Sequence, residues 1–362
     1  MEVSPFPYQG PIEPAQVRGR DELVADLIER VTERRVTALL GPRRYGKTSV
    51  LRRVAADIAA TGASVVWVDL YEVTSAADLA VRLDQALRAA SGSIAGPLVQ
   101  LAAAAEVNLG MLKLEFARRR DERPDPATTV HVLLDTLVTA AERHPCVVVF
   151  DEFPGIVRVE GAAGLLRTKL QHHFQQIGLV FAGSQPSLMR AMFSDPKMPF
   201  YSQADLVPID VFSVSAVAQI VAEGFAATGR DPGDLAASIH TFAGGHPHRS
   251  VQLADAAWRL IEAGETYTPE VWAGALDAVR IATELGNEAV FSGFAPTAKA
   301  VLRLVANRVG LFSARAELLG VATGQTQHAR DALIAAGELE DRSGLRIVDP
   351  VFADWIRRRF PA

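Results

Sequence analysis

The chain has 362 residues, 49 % of them apolar, so it can bury large cores without disulfides or structural metals. Its 42 Asp and Glu outnumber its 37 Lys and Arg, and the net charge of −5 argues against a protein that coats nucleic acid without specificity. The single cysteine, Cys146, allows no internal disulfide, and the eight histidines form no zinc-binding pattern with it.

The N-terminus is rich in proline and has neither the basic start nor the apolar core of a signal peptide. Residues 1–16 are therefore predicted to form an extended arm. No apolar run reaches the roughly 18 to 20 residues that a membrane helix needs. We therefore expect a cytoplasmic protein that does not contact a membrane.

Short apolar strands and amphipathic helices alternate through the first 212 residues. The predicted strands are 35–40, 64–70, 146–153, 179–184 and 204–212, and the predicted helices are 21–33, 49–62, 76–90, 129–143 and 164–178. Residues 91–128 do not fit this alternation and are treated as an insertion without an assigned role. The pattern predicts an α/β fold with a parallel sheet that helices cover on both faces.

Strands fade after residue 212, and helices dominate residues 213–293. The last block is predicted to contain helices 297–306, 313–321 and 325–336, followed by a hairpin around "GELEDRSGLRIVD". Three helices and a short hairpin are typical of a winged helix. The chain is therefore divided into a core (1–212), a helical domain (213–293) and a winged-helix domain (294–362).

The stretch "GPRRYGKTSV" lies between a predicted strand and a predicted helix and contains the phosphate-binding pattern GxxxxGK[ST]. Its glycines permit backbone angles and close approaches that a Cβ would block. Lys47 would pair with the β- and γ-phosphates, and the Thr48 hydroxyl would bind Mg²⁺. The predicted nucleotide-binding residues of this loop are Gly41, Pro42, Arg43, Arg44, Tyr45, Gly46, Lys47, Thr48 and Ser49.

A P-loop also needs an acid at the end of a neighbouring strand, and "VVVFDEF" supplies Asp151 there. Asp151 is the predicted second residue of the Mg²⁺ site, and Glu152 is the predicted general base that orients water toward the γ-phosphate. The alternative is that this acidic pair caps the N-terminus of a helix. The P-loop favours the catalytic role.

"FAGSQPSLM" follows the fourth predicted strand. A polar side chain at this point can sense the γ-phosphate, and Ser184 and Gln185 are the candidates. The alternative is a helix N-cap at Ser184 or Ser187. Ser184 is taken as the catalytic candidate.

The segments "PFPYQGPIEPAQVRGRDEL", "GPRRYGKTS", "VVVFDEF", "AGSQPSLM", "GGHP" and "IVDPVFADWIRRR" occur in this order. Together they resemble the archaeal-type ATPase family of the STAND clade, which is related to AAA+ proteins. The resemblance covers nearly the whole chain, and the loop and the "DPxFxxW" tail are its most specific parts. It implies an ATP-binding core, a helical lid and a C-terminal winged helix.

Further site residues follow from this resemblance alone. Val17, Arg18 and Gly19 match a segment that lies near the adenine in such proteins. Pro247 matches the lid proline that caps the nucleotide, with His246 beside it. Without the resemblance, "GGHP" would be interpreted as a turn between two helices.

The chain departs from the family pattern in two respects. "PFYSQADL" lacks the arginine that often follows the fourth strand and acts as a finger, which argues against an assembled ring; Arg190 is a weak substitute. Large members of the clade continue into sensor repeats, whereas this chain ends at Ala362. The signal is therefore expected to come from another protein, a nucleic acid or a small ligand.

DNA contact through the winged helix is the less favoured hypothesis. Residues 295–362 contain ten Lys or Arg and seven Asp or Glu, a smaller surplus than specific DNA-binding modules usually carry. Phe352 and Trp355 are expected in the core. The predicted recognition helix offers Gln325, Gln327, His328 and Arg330, with Asp331 beside them, and three adjacent arginines (357–359) lie near the C-terminus.

The favoured hypothesis is a cytoplasmic ATPase that binds ATP and Mg²⁺ between core and lid and acts as a nucleotide-gated switch. This hypothesis also expects the protein to bind a protein partner or to self-associate. The alternative is a DNA-binding regulator that uses ATP as a conformational ligand with little turnover. A third hypothesis, a loader similar to replication initiators, is weakened by the missing arginine.

Overall fold

The computed structural model describes residues 2–90, 125–142, 144–313, 323–341 and 344–361. The strands in these ranges are β1 (Thr37–Leu40), β2 (Ser64–Asp69), β3 (Cys146–Asp151), β4 (Ile177–Gly183), β5 (Asp205–Pro208), β6 (Leu339–Glu340) and β7 (Arg346–Ile347). The helices are α1 (Asp21–Thr32), α2 (Lys47–Ala60), α3 (Ala76–Arg88), α4 (Pro126–Ala141), α5 (Ala162–Leu170), α6 (Pro186–Ser194), α7 (Val214–Ala226), α8 (Leu235–Ala243), α9 (Pro247–Trp258), α10 (Pro269–Gly293), α11 (Pro296–Ala306), α12 (Thr323–Ala336) and α13 (Pro350–Arg359).

The first five strands form one parallel sheet in the order β2-β3-β4-β1-β5, which confirms the predicted α/β architecture. The expectation that the acid-bearing strand neighbours β1 is wrong, because β4 lies between β1 and β3. Parallel strands all end at one edge of the sheet. The segments that follow β1, β3 and β4 therefore still meet at that edge.

Helices cover both faces of this sheet. Strands β1, β3 and β4 are buried along their whole length, as expected for short apolar strands between two helical layers. Leu27 of α1 and Leu51 of α2 pack on one face, and Leu83 of α3 and Leu134 of α4 pack on the other. The sheet edge that bears the site is thus held by two separate apolar layers.

Several predicted boundaries differ from the structure, and the helix predicted at 164–178 differs most. The helix predicted at 164–178 ends at Leu170, and residues 177 and 178 instead begin β4, since residues 171–176, which are polar except for Phe174, form turns between them. Gly178 pairs with Val147, and a Cβ on it would lie 2.8 Å from Val31 Cγ1. The predicted insertion lies outside the described residues except for 125–128, where Asp125 already caps α4.

The elements after residue 212 build two further apolar cores. Helices α7 to α10 surround one core, which also includes Phe6 from the N-terminal arm. Helices α11 to α13 and the β6–β7 hairpin surround the other, together with Phe291 of α10. The predicted domain limits lie near the starts of α7 and α11, and the division into three domains stays a prediction.

The last core contains the elements expected of a winged helix, as far as they are described. Strands β6 and β7 pair antiparallel, and Phe352 and Trp355 are buried as predicted. The second helix was predicted at 313–321, and residues 314–322 lie outside the described ranges. The winged-helix assignment therefore stays a prediction. In the described ranges, each helix is too short or too polar to cross a membrane.

Candidate functional site

A cavity of about 990 Å³ lies where strands β1, β3 and β4 end. Its walls come from the arm (7–12), the loop and start of α2 (43–50), the start of α9 (246–252), α10 (282–290) and the turn before β6 (336–338). The volume is at the upper end of the range of about 300–1,000 Å³ that small-molecule sites occupy. Each of the three predicted domains contributes to the wall.

The loop between β1 and α2 has the backbone geometry that its glycines permit, but for two different reasons. Gly46 has φ +87° and is the N-cap of α2, so it occupies the left-handed region that favours glycine. Gly41 has no positive φ. A Cβ on Gly41 would lie 2.3 Å from Ile209 Cγ2, so this glycine is needed for packing against the segment after β5.

Lys47 is buried beneath this loop, with 5 % of its surface exposed. Its Nζ donates hydrogen bonds to the carbonyl oxygens of Gly41 (2.8 Å) and Pro42 (2.9 Å). Burial lowers the pKa of Lys47 to about 8, although the carboxylates of Glu152 and Asp151 act in the opposite direction. The chain thus holds a desolvated cation at the first turn of α2, where helix N–H groups also favour anions.

Thr48 and Asp151 meet at the same point although 103 residues separate them. The Thr48 hydroxyl donates to Asp151 Oδ2 at 2.9 Å. Burial raises the pKa of Asp151 to about 6, and Glu152 adds to this effect while the Thr48 hydrogen bond opposes it. A hydroxyl and a carboxylate are oxygen ligands of the kind that Mg²⁺ prefers.

The surroundings of this pair also fit Mg²⁺. No group of three or more His, Cys, Asp or Glu converges among the described residues as a protein-only metal cage would require. Mg²⁺ commonly binds through one or two carboxylates together with substrate phosphates. Thr48 and Asp151 beside a phosphate-binding loop match that arrangement.

Glu152 and Ser184 form a second polar contact. Glu152 Oε2 accepts hydrogen bonds from the Ser184 hydroxyl (2.7 Å) and from the Ser184 backbone N–H (3.2 Å). Glu152 has φ +49°, a strained backbone for a residue with a side chain, and such strain concentrates at functional sites. The acid after β3 is therefore held in place from the end of β4.

The alternative assignments as helix caps are not observed for these residues. The Glu152 side chain makes no cap hydrogen bond to the short 3-10 helix that follows it, Phe153–Arg158. Gln185 is the N-cap residue of α6 and makes no side-chain cap bond, and Ser187 lies inside that helix. Ser184 donates its hydrogen bonds to Glu152 and does not cap a helix.

The "GGHP" segment is both a turn and a contact with the loop. Gly244 and Gly245 have φ +57° and +74° and connect α8 to α9, and His246 Nδ1 accepts the Arg249 N–H as the N-cap of α9. The His246 ring also meets Tyr45 edge-to-face at 5.2 Å. Burial lowers the pKa of His246 to about 4, so the ring is neutral at pH 7. Pro247 borders the cavity.

The other residues implied by the resemblance divide into two groups. Val17 and Arg18 border the cavity. Gly19 instead faces α7, since a Cβ on it would lie 3.1 Å from Ile220 Cδ1. Gly41 and Pro42 are not part of the cavity lining, and Arg190 is exposed on α6 away from it.

An ion pair that the sequence analysis missed connects α9 to the start of α13. The Arg249 side chain is 4 % exposed and binds both carboxylate oxygens of Asp349 at 2.6–3.1 Å. Burial alone would raise the pKa of Asp349, but the hydrogen bonds and charge of Arg249 hold it below its ordinary value of 3.8. Both residues lie in the motifs "GGHPHRS" and "IVDP", so their proximity to motif residues was the available signal.

We expect Asp349→Asn to destabilise the protein by about 3 kcal/mol, because it leaves a buried guanidinium without its counter-charge. Asparagine retains an oxygen to cap α13, so the change isolates the ion pair. The free energy of unfolding by urea measures the effect. The loss should shrink at acid pH, since a carboxylate with a lowered pKa stabilises the fold above its unfolded pKa and ceases to do so as the pH falls through its folded pKa.

Asp277→Asn is the matched control. Asp277 is 67 % exposed and pairs with Arg280 on the surface at 3.1 Å, so its loss should change the unfolding free energy by less than about 1 kcal/mol. Equal effects of the two variants would contradict a structural role for the buried pair.

The basic residues considered for DNA contact are largely paired. Arg358 binds Asp354 at 3.0 Å, and Arg359 lies 3.9 Å from Glu288. On α12, Arg330 pairs with Asp341, and Gln327 donates to Asp331. These contacts reduce the positive charge that the proposed recognition surface presents.

Strand order, the glycine-rich loop between β1 and α2, and Asp151 beside Thr48 define the P-loop NTPase fold. No family model matches the chain, and no curated protein sequence matches it either. Solved structures do resemble it. The Walker-type ATPase PABY2304 of Pyrococcus abyssi superposes with a TM-score of 0.69 at 17 % identity, over 98 % of this chain and 99 % of that one.

Two archaeal ORC proteins are also similar. The Aeropyrum pernix ORC2 protein, solved in ADPNP–ADP complexes, has a TM-score of 0.56 at 16 % identity and covers 99 % of this chain and 98 % of its own. The Aeropyrum pernix ORC1 protein, solved in complex with DNA, has a TM-score of 0.51 at 14 % identity, over 94 % and 93 %. At these identities the likeness establishes the fold.

Proposed function

We propose that the protein binds ATP with Mg²⁺ in this cavity, hydrolyses it slowly and acts as a nucleotide-gated switch. The observation that carries the proposal is the contact of Thr48 with Asp151 directly beside the buried Lys47. Binding of ATP in the presence of Mg²⁺, followed by phosphate release, tests it.

The charge of the cavity supports a polyphosphate ligand. Burial, followed by the like charges of Arg249 and Arg43, lowers the pKa of Arg44. A polyphosphate would relieve that repulsion. The basic residues of the lining are Arg18, Arg20, Arg43, Arg44, Lys47 and Arg249, against the acids Glu152, Glu338 and Asp349.

The loop and the first turn of α2 would bind the phosphates. Two of the three N–H groups of Lys47 donate to loop carbonyls, which aligns the ammonium group, and the third can donate to a phosphate oxygen. Thr48 and Asp151 would hold Mg²⁺. The ion supplies charge neutralisation on the phosphates during transfer.

Glu152 would accept a proton from the attacking water. Its carboxylate has one oxygen, Oε2, bound to Ser184, which fixes the side chain and leaves Oε1 for water. The sequence analysis expected Ser184 to sense the γ-phosphate. The observed contact favours Ser184 as a positioning residue that acts through Glu152.

We expect Ser184→Ala to lower kcat about tenfold, because one hydrogen bond to a charged group is lost, while the Kd for ADP stays unchanged. Ser184→Thr keeps a hydroxyl and should restore most of the rate. Ser187→Ala serves as the control on α6. Full activity of Ser184→Ala would exclude the positioning role.

The contacts around the cavity offer a route from the loop to the C-terminal part of the chain. Tyr45 touches His246, and Arg249 of the same helix binds Asp349 at the start of α13. A change at the phosphates could therefore alter how the lid and the C-terminal elements sit on the core. A protein partner or a second copy would detect that change, and a cytoplasmic location is part of this proposal.

A DNA-binding regulator with little turnover is the second hypothesis. The ORC1 protein that shares this fold was solved with DNA. Against it stand the paired arginines of α12 and α13. We therefore rank it below the switch, and measurement of turnover with and without DNA separates the two.

A further inference from the structure

The N-terminal arm connects the two sides of the cavity. At its start, Glu2 pairs with Arg230 at 2.8 Å, and Phe6 is 2 % exposed inside the core of α7 to α10. The Phe6 ring lies 5.4 Å from that of Phe225. This end of the arm is therefore part of the lid.

Gly224 of α7 provides the socket for Phe6. A Cβ on Gly224 would lie 2.3 Å from Phe6 Cζ and 2.4 Å from Cε1. Glycine is a poor helix former, and it stands here inside a helix of 13 residues. The socket thus exists because a side chain is missing at one helical position.

The other end of the arm is fixed to α2. The Ile12 N–H donates to the Ser49 hydroxyl at 3.2 Å, and Arg53 donates to the Val17 carbonyl at 2.8 Å. Ser49 directly follows the P-loop residues Lys47 and Thr48. The arm is thus attached to the helix whose first turn would bind the phosphates.

Between these attachments the arm borders the cavity. Residues 7–12 form part of its wall, and the Tyr8 ring meets His248 of α9 edge-to-face at 5.6 Å. Prolines at positions 5, 7 and 11 stiffen the segment, since they reduce the freedom that an ordered arm must lose. The phosphates would occupy the loop end of the cavity, so the nucleoside would lie against the arm and α9.

We propose that residues 2–12 form a strap that closes the cavity over the nucleoside, and that Phe6 is the positioning residue that keeps it closed. The inference rests on the proposed nucleotide site and adds a function to it, the control of nucleotide release. Departure of the nucleotide requires the strap to move. The strap can move only when Phe6 leaves the Gly224 socket or when the Ile12–Ser49 end detaches.

Release of radiolabelled ADP, measured by rapid filtration after dilution into excess unlabelled ADP, tests the strap. A radiolabel is preferred because a ribose-linked fluorophore would lie where the strap acts. Phe6→Ala should raise the release rate at least about tenfold, because the anchor loses its buried contacts. Val3→Ala is the control on the same arm, since Val3 is 85 % exposed, and its rate should stay within about twofold of wild type.

Gly224→Ala changes the same contact on the side of α7, which faces the Phe6 ring. Alanine is a better helix former than glycine, so α7 itself is not weakened, but its methyl group displaces Phe6. The release rate should rise as in Phe6→Ala. Gly164→Ala in α5 is the control, because a Cβ there meets nothing within 4 Å.

Two further readouts separate positioning from general damage to the fold. The single-turnover rate of hydrolysis should stay within about twofold of wild type in Phe6→Ala, because the strap bonds Ser49 through Ile12, while Phe6 itself packs against Phe225 and Gly224 and not against Lys47, Thr48, Asp151 or Glu152. Phe6→Leu refills most of the socket and should restore slow release. A thermal unfolding curve shows whether each variant is folded. If Phe6→Ala does not fold, the release rate of Gly224→Ala tests the strap.

The outcomes distinguish the strap from the nucleotide site itself. Failure of the wild-type protein to retain ADP overturns the proposed function and the strap with it. Retention by wild type with unchanged release from the folded Phe6→Ala or Gly224→Ala variant overturns the strap alone. Faster release with unchanged single-turnover chemistry supports it.

Discussion

Lys47→Ala is expected to weaken ATP binding by about 10- to 100-fold. Lys47 supplies a buried cation to the phosphates, and a hydrogen bond to a charged group contributes about 1.5–3 kcal/mol, where each 1.4 kcal/mol is about tenfold. Isothermal titration calorimetry with ATP and Mg²⁺ measures the change. Burial lowers the pKa of Lys47, so removal of its charge should not unfold the chain.

Lys197→Ala is the matched control, since Lys197 is exposed after α6 and lies outside the cavity lining. Its affinity for ATP should equal that of wild type. Equal affinities for all three proteins would remove the phosphate-binding role of the loop.

Glu152→Gln is expected to keep ATP bound while kcat falls by about 10²- to 10⁴-fold, the usual contribution of a positioned base. Glutamine has nearly the same shape and retains an oxygen that can accept the Ser184 hydrogen bond, so the site geometry should survive. Phosphate release at saturating ATP gives kcat, and calorimetry gives the affinity.

Glu160→Gln provides the comparison, because Glu160 is exposed shortly after the same strand. Its kcat should match wild type within about twofold. A Glu152→Gln variant with wild-type kcat would place the base elsewhere and would leave the strained backbone at Glu152 without a catalytic explanation.

The central part of the site could be predicted from sequence because each residue lies at the end of a recognisable strand or in the loop that follows it. Lys47 and Thr48 follow β1, and Asp151 is the last residue of β3, so the ends of parallel strands place them at one edge whatever the strand order. The order itself was not predictable. Apolar periodicity identifies a strand but does not indicate which strand it pairs with. The position of β4 between β1 and β3 could therefore not be predicted.

Contacts between segments that are far apart in the chain could not be predicted from sequence patterns either. Arg249 and Asp349 are 100 residues apart, and although each lies beside a motif, neither motif indicates that the two charges pair. Gly224 looks like a weak point in a helix until Phe6 is seen against it. The close approach that Gly41 permits includes Ile209, a neighbour that the loop pattern did not indicate.

The steady-state release of phosphate from ATP by the purified wild-type protein is the most direct test of the central claim. We predict slow turnover that requires Mg²⁺, stops in EDTA and does not change when duplex DNA is added. Strong stimulation by DNA would assign the C-terminal elements a role in nucleic-acid binding and would weigh against a switch that awaits a protein partner. Absence of both turnover and ATP binding in the presence of Mg²⁺ would contradict the account.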